Sequence, residues 1–137
     1  MNQSARIVWL CLVGMMVIGS MPASAQEVAV PDTASVHDPA ILQDGDYYYI
    51  YCTGRGTPMR RSRDLYDWEH IGTVMDEPPQ WVQDKIEGVS SLWAPDGIKH
   101  NGRYYLCYSA SQFGEQTSTL GLMSNATLDP GSPDYAW

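Results

Sequence analysis

Three short segments hold the residues best suited to chemistry. Val36-His37-Asp38-Pro39-Ala40 presents a carboxylate between a histidine and a proline, directly ahead of the apolar pair Ile41-Leu42. An aspartate at the mouth of a strand, stiffened by the proline that follows, can serve as a general base that orients water. The same Asp-Pro pair also makes an ordinary turn or strand cap, and the residues alone leave both roles open. Trp93-Ala94-Pro95-Asp96 occupies the comparable place in the second half of the chain. An indole there can lie on the C–H face of a sugar ring or fill a core. Asp96 stands one position out of register with Asp38 and need not share its role. The third segment, Ser109-Ala110-Ser111-Gln112-Phe113-Gly114, carries the chain's one phenylalanine. An aromatic side chain on a polar loop has less reason to be core than one in a strand, which makes Phe113 a binding candidate.

The elements that would position these residues read as strands throughout. From Val36 onward, short runs of Tyr, Ile, Leu and Val alternate with Gly, Pro, Asp and Asn, and no helical stripe extends beyond two turns. Internal repetition is the clearest signal. Asp44-Gly45-Asp46-Tyr47-Tyr48-Tyr49-Ile50-Tyr51 matches Asn101-Gly102-Arg103-Tyr104-Tyr105-Leu106-Cys107-Tyr108 at a constant offset of 57 residues. Each copy predicts a hairpin with a tight type I′ turn at Asp-Gly or Asn-Gly. Arg61-Ser62-Arg63-Asp64-Leu65 similarly resembles Met123-Ser124-Asn125-Ala126-Thr127-Leu128, each leading to a tryptophan, Trp68 or Trp137. Each unit then comprises four short strands, the pattern of a propeller blade. The first blade is expected over about 36–90 and the second over 91–137, with Trp137 midway through a strand. Propellers close with four to eight blades, so two imply a longer polypeptide of which this is the amino-terminal part. The loop leaving the Tyr104–Tyr108 strand is expected to be five residues longer than its counterpart, and lengthening on one face of a repeat marks a binding side.

Composition narrows the partners. Residues 1–25 form a secretory leader: Arg6, an apolar run from Ile7 to Ile18, then Ala23-Ser24-Ala25 with cleavage expected after Ala25. The run is too short for a membrane span, and Cys11, behind bulky Trp9 and Leu10, does not fit a lipidation signal. Secretion or periplasmic export is therefore expected, with residues 26–35 as a linker. Without the leader, 7 basic residues face 16 acidic ones, a formal charge of −9. Nucleic acid and anionic membranes are poor partners for such a chain, whereas a neutral polymer is acceptable. Cys52 and Cys107 are expected to be buried free thiols on opposite strand faces. His37, His70 and His100 lie too far apart in sequence to suggest a metal site. Asn125-Ala126-Thr127 has the form of a glycosylation acceptor, which matters only in a eukaryotic secretory route.

His37-Asp38-Pro39, Trp93-Ala94-Pro95-Asp96, the Asn101-Gly102-x-Tyr104-Tyr105 hairpin, and Ser111-x-Phe113-Gly114 leading to Thr117-Ser118 and Gly121-Leu122 together resemble a known family. They look like the first two blades of the endo-α-1,5-L-arabinanases of glycoside hydrolase family 43. The resemblance extends from Val36 to Trp137. It implies a five-bladed β-propeller, monomeric when full length, that hydrolyses arabinan or a related plant cell-wall polysaccharide with inversion. Asp38 matches the family's general base. Trp93 and Phe113 match aromatic residues of the cleft, with Gly114 beside the sugar, and His37 and Asp96 complete the expected substrate-binding set. The family's second aspartate and its general-acid glutamate belong to later blades, and neither motif occurs here. A calcium or other cation in the central channel, held in the family by a later histidine, has no ligand in this segment.

The residues agree with that gap. Inverting hydrolysis needs a protonated carboxyl and an ionised carboxylate about 6.5–9.5 Å apart. Asp38 suits the base, but Glu69, Glu87 and Glu115 fall outside the motifs that suit an acid, so these 137 residues are expected to be inactive alone. An exo-acting arabinofuranosidase or xylosidase would share the aspartate and Trp-Ala-Pro motifs; Ser-x-Phe-Gly and His-Asp-Pro favour the endo form. A non-catalytic sugar-binding propeller would keep the aromatic residues and use Asp38 only as a strand cap. A fragment with no function of its own is the remaining alternative.

Overall fold

The computed structural model describes residues 36–137. The leader and the linker therefore lie outside the described residues. Seven strands form two antiparallel sheets, as the alternating pattern requires. The first sheet runs β1 (Ala40–Asp44), β2 (Tyr47–Tyr51), β3 (Pro58–Ser62) and β4 (Glu69–Thr73) in sequence order. A single helical turn, α1 (Gln80–Gln83), follows Pro78-Pro79 and is an addition to the all-β expectation. The second sheet orders β5 (Leu92–His100), β6 (Arg103–Ser111) and β7 (Ser118–Asn125). Neither Trp68 nor Trp137 lies in a strand. Trp68 immediately precedes β4, and Trp137 meets the Tyr51 ring edge-on with centroids 5.9 Å apart.

The two sheets share one core. Leu42, Tyr49, Tyr51 and Met59 of the first pack with Tyr104 and Leu106 of the second and with Leu128, which follows β7. Strand alternation produces this directly, since Tyr49 and Tyr51 share one face of β2 while Tyr104, Leu106 and Tyr108 share one face of β6. Strands β1 and β5, each at the end of its sheet, lie against each other. Gly97 on β5 makes that approach possible, because a β-carbon there would come within 2.8 Å of Leu42 Cδ1. A second cluster joins Val82 and Ile86 to Leu92, Tyr108 and Ala110 and anchors the helical turn.

Polar ties reinforce the junction. Asp44 Oδ2 accepts hydrogen bonds from Thr127 Oγ1 at 2.9 Å and the Leu128 amide at 2.8 Å. Tyr104 donates its hydroxyl to the Gln43 carbonyl at 3.1 Å and accepts from Lys99 Nζ at 2.6 Å. The outer face of the second sheet is different. Ile98, Leu120 and Leu122 are 62%, 75% and 70% exposed there. Asn125 is fully buried, and its Oδ1 accepts the Ala126 and Ala136 amides, so the glycosylation motif around it is inaccessible in this fold.

Several expectations are corrected. The first hairpin turns at Gly45-Asp46, with Asp44 paired to Tyr47 and only Gly45 at positive φ, the pattern of a type II′ turn. The second turns at Asn101-Gly102 with both residues at positive φ, as a type I′ turn requires. It is one residue pair longer, ending in His100 opposite Arg103. The loop after β6 is not lengthened. Strand β6 runs through Ser111, so the extra residues continue the ladder with β7 as Ser109↔Leu120, Ala110↔Thr119 and Ser111↔Ser118. Both cysteines are free, but only Cys52 is buried, Cys107 being partly exposed. Cys52 lies just past the end of β2 and not within a strand, whereas Cys107 in β6 has the parity opposite to Tyr104, Leu106 and Tyr108.

Candidate active site

Asp38 sits just before β1, on the approach to the junction between the sheets. Its backbone has a φ of 47°, in the left-handed region where aspartate is among the better tolerated residues. Ala94, also followed by proline, shows the same conformation with a φ of 44°. The Asp38 side chain bonds to side chains. His37 Nδ1 lies 2.7 Å from Asp38 Oδ2, and Thr53 Oγ1 donates to the same oxygen at 2.8 Å. Thr53 Oγ1 in turn accepts the Ala94 amide at 2.7 Å. The Thr53 amide donates to the His37 carbonyl at 3.0 Å, so residue 53 is held by backbone as well.

The Thr53 hydroxyl is the main influence holding the Asp38 carboxyl below the ordinary carboxylate range; partial desolvation opposes it, and the hydrogen bond and charge of His37 assist. Asp38 is therefore an ionised acceptor with its side chain 43% exposed to solvent. Both side-chain hydrogen bonds converge on Oδ2. Among the described residues Oδ1 accepts no hydrogen bond, which leaves it available to a base that must take a proton from a nucleophile.

Trp93 is half-buried in β5, its carbonyl accepting from Ser109 Oγ at 3.1 Å. Its ring lies 6.4 Å from that of Phe113 at an interplanar angle of 57°. Phe113 is 92% exposed on the 112–117 loop. The two aromatics border an open cleft of about 250 Å³ whose polar wall includes Ser90, Ser91, Ser111 and Gln112. Gly114 follows Phe113 with a φ of 87°, allowing the loop to reverse beside the aromatic ring.

The structure thus joins Asp38 to the Trp93-Ala94 segment through one hydroxyl, and it brings Trp93 to Phe113. His37 remains on Asp38 and is largely exposed. Asp96 is not brought into the group. Its Oδ1 accepts the amide of Gly97 at 2.9 Å, and it borders a separate shallow groove with Ile98, Tyr105, Cys107 and Leu122. Glu69 is paired to Arg61 at 2.8 Å on the strand farthest from β1 in its sheet, while Glu87 and Glu115 border another depression beside Lys85. Among the described residues no group of three or more His, Cys, Asp and Glu side chains could hold a metal ion.

Thr53 went unnoticed in the sequence. Counting back six residues from Asp44 and forward six from Tyr47, the pair that closes the turn, sets Asp38 opposite Thr53, but only once the turn is placed at Gly45-Asp46.

Comparison with known proteins decides the family. A family model described as glycosyl hydrolases family 43 matches residues 32–132. The chain belongs to glycosyl hydrolase family 43. Relatives of this family-43 chain include an extracellular exo-α-(1→5)-L-arabinofuranosidase of Cellvibrio japonicus, 36% identical over 94% of this chain and 35% of its own length. An extracellular endo-α-(1→5)-L-arabinanase of Bacillus subtilis is 33% identical over 70% of this chain and 31% of its own. Among solved structures, an α-L-arabinanase of Cellvibrio cellulosa superposes with a TM-score of 0.74 at 39% identity, covering 77% of this chain and 34% of the other. An exo-1,5-α-L-arabinanase from a bovine ruminal metagenomic library gives 0.71 at 44% identity, with coverage of 74% and 34%. The family-43 chain spans about a third of the length of these relatives.

Proposed function

We propose that this chain forms part of a secreted, inverting glycoside hydrolase that cleaves α-1,5-linked arabinan, with Asp38 as general base and Trp93 and Phe113 stacking on the sugar. The observation that carries this reading is the Asp38 carboxylate, bonded through Oδ2 alone to His37 and Thr53 and set one hydroxyl away from the Trp93-Ala94 backbone. A carboxylate serving only as a strand cap would accept backbone amides, whereas among the described residues both hydrogen bonds to Asp38 come from side chains. The relatives named as arabinanases support the substrate. A further structure of the Cellvibrio cellulosa α-L-arabinanase, with a TM-score of 0.72 at 38% identity, is complexed with arabinohexaose.

The acid that protonates the leaving group is supplied from outside the described residues, and these 137 residues alone are inactive. Five blades complete the propeller in this reading, the two sheets described being the first two. The uncovered apolar face bearing Ile98, Leu120 and Leu122 supports a further blade beside the second. Water held by Asp38 Oδ1 attacks the anomeric carbon from the side opposite the leaving oxygen, and Asp38 accepts its proton as the glycosidic bond breaks.

The test is Asp38→Asn in the complete gene product, assayed on debranched arabinan. Turnover should fall about a thousandfold, with binding of arabino-oligosaccharides retained. Undiminished hydrolysis by that variant, or hydrolysis by the 137-residue chain alone, would defeat the reading.

Cleavage mode has two readings. Ser111-x-Phe113-Gly114 and His37-Asp38-Pro39 favour endo attack, while similarity to exo-named proteins over 94% and 74% of the chain favours release from chain ends. Viscosity separates them: endo attack thins an arabinan solution early, whereas exo attack releases small sugars with little thinning.

A further inference from the structure

We propose that Thr53 is the positioning residue of the site: its hydroxyl clamps Asp38 to the second sheet and fixes which carboxylate oxygen faces water. This rests on Asp38 being the base. The direction of the clamp follows from donor and acceptor types. The Ala94 amide can only donate and an ionised carboxylate can only accept, so a hydroxyl between them has one orientation, receiving from Ala94 at 2.7 Å and donating to Asp38 Oδ2 at 2.8 Å. That orientation favours the charged form of Asp38, because a protonated Oδ2 would compete as a donor with the Thr53 hydroxyl.

Two further observations point the same way. Asp38 and Ala94 both hold positive φ ahead of a proline, and the hydroxyl joins these two constrained residues across the junction between sheets. The Thr53 amide and the Gly54–Leu92 bridge fix the backbone on either side of that hydroxyl, with Gly54 N to Leu92 O at 3.0 Å and Leu92 N to Gly54 O at 3.1 Å.

The experiment compares Thr53→Val, Thr53→Ala and Thr53→Ser in the complete gene product acting on debranched arabinan, alongside a ¹³C NMR titration of the Asp38 side-chain carboxyl. In the Val and Ala variants kcat should fall about ten- to a hundredfold with KM nearly unchanged. The acid limb of the kcat/KM profile and the Asp38 titration midpoint should both move to higher pH, and Thr53→Ser should restore them. Ala is included because it imposes no new bulk should Val disturb folding. A structural role alone would lower thermal stability without moving the limb. An unmoved limb and midpoint in a folded Val or Ala variant overturn the proposal. Failure of the base reading shows separately, as hydrolysis surviving Asp38→Asn; the positioning role for hydrolysis falls with it, whatever the NMR midpoint does.

Discussion

Phe113 and Asp38 show how a residue's exposure bears on its role. Phe113 is nearly all in solvent, so its removal leaves no cavity, yet its ring stands beside that of Trp93 over the polar cleft. Phe113→Ala should therefore leave thermal stability within about 0.5 kcal/mol of the parent. It should weaken arabino-oligosaccharide binding about three- to tenfold in a calorimetric titration, the loss of one aromatic contact; unchanged binding would remove Phe113 from the site. Asp38, Trp93 and Phe113 were all legible as candidates because their types stand out against a strand-rich background. Thr53 was not, because a threonine after an aromatic strand is ordinary and its meaning arises only from the residue opposite. Asp96 stands out for its nearness to Trp93 in sequence, but its carboxylate accepts the Gly97 amide and borders the groove of Ile98, Tyr105, Cys107 and Leu122 rather than the cleft.

The strands and their pairing were largely readable, since the Tyr-rich runs alternate and each is preceded by a glycine-containing turn. What a constant 57-residue offset could not reveal was the additional pair His100↔Arg103 or the continuation of β6 through Ser111, because ladder extension and loop extension look alike in a sequence. The ladder also explains Gly121. It lies opposite Tyr108, and a β-carbon there would strike the Tyr108 ring. Gly121→Ala should force that ring from its buried position and cost about 1–3 kcal/mol, read as a lowered midpoint in urea. A variant with an unaltered midpoint would show that the Tyr108 pocket can yield.

At the level of the whole molecule, the junction between the sheets depends on carboxylates. Burial works against the Asp44 carboxylate, but the Leu128 amide and the Thr127 and Tyr104 hydroxyls outweigh it and hold its pKa below the ordinary 3.8. Asp38, chiefly through Thr53, and Asp64, chiefly through the Asp67 amide, are lowered as well. A carboxyl with a lower pKa folded than unfolded contributes stability that is complete above the unfolded value and is lost as pH falls through the folded one. Thermal midpoints should therefore be flat near neutrality and decline below about pH 4, and Asp44→Asn should make the decline shallower. A midpoint constant down to pH 3 would show that these contacts do not stabilise the junction. The two-sheet arrangement was legible as repetition; that β1 and β5 meet was not, because it depends on Gly97 leaving space for Leu42.

The backbone of Asp38 carries an evolutionary consequence. A left-handed conformation is most easily shared with asparagine or glycine, and either is a single nucleotide change from an aspartate codon. Both would keep the local chain path and remove the carboxylate. If Asp38 is the base proposed above, such a change is a short, structurally gentle route from a hydrolase to a lectin-like descendant that grips the proposed polysaccharide and leaves it intact.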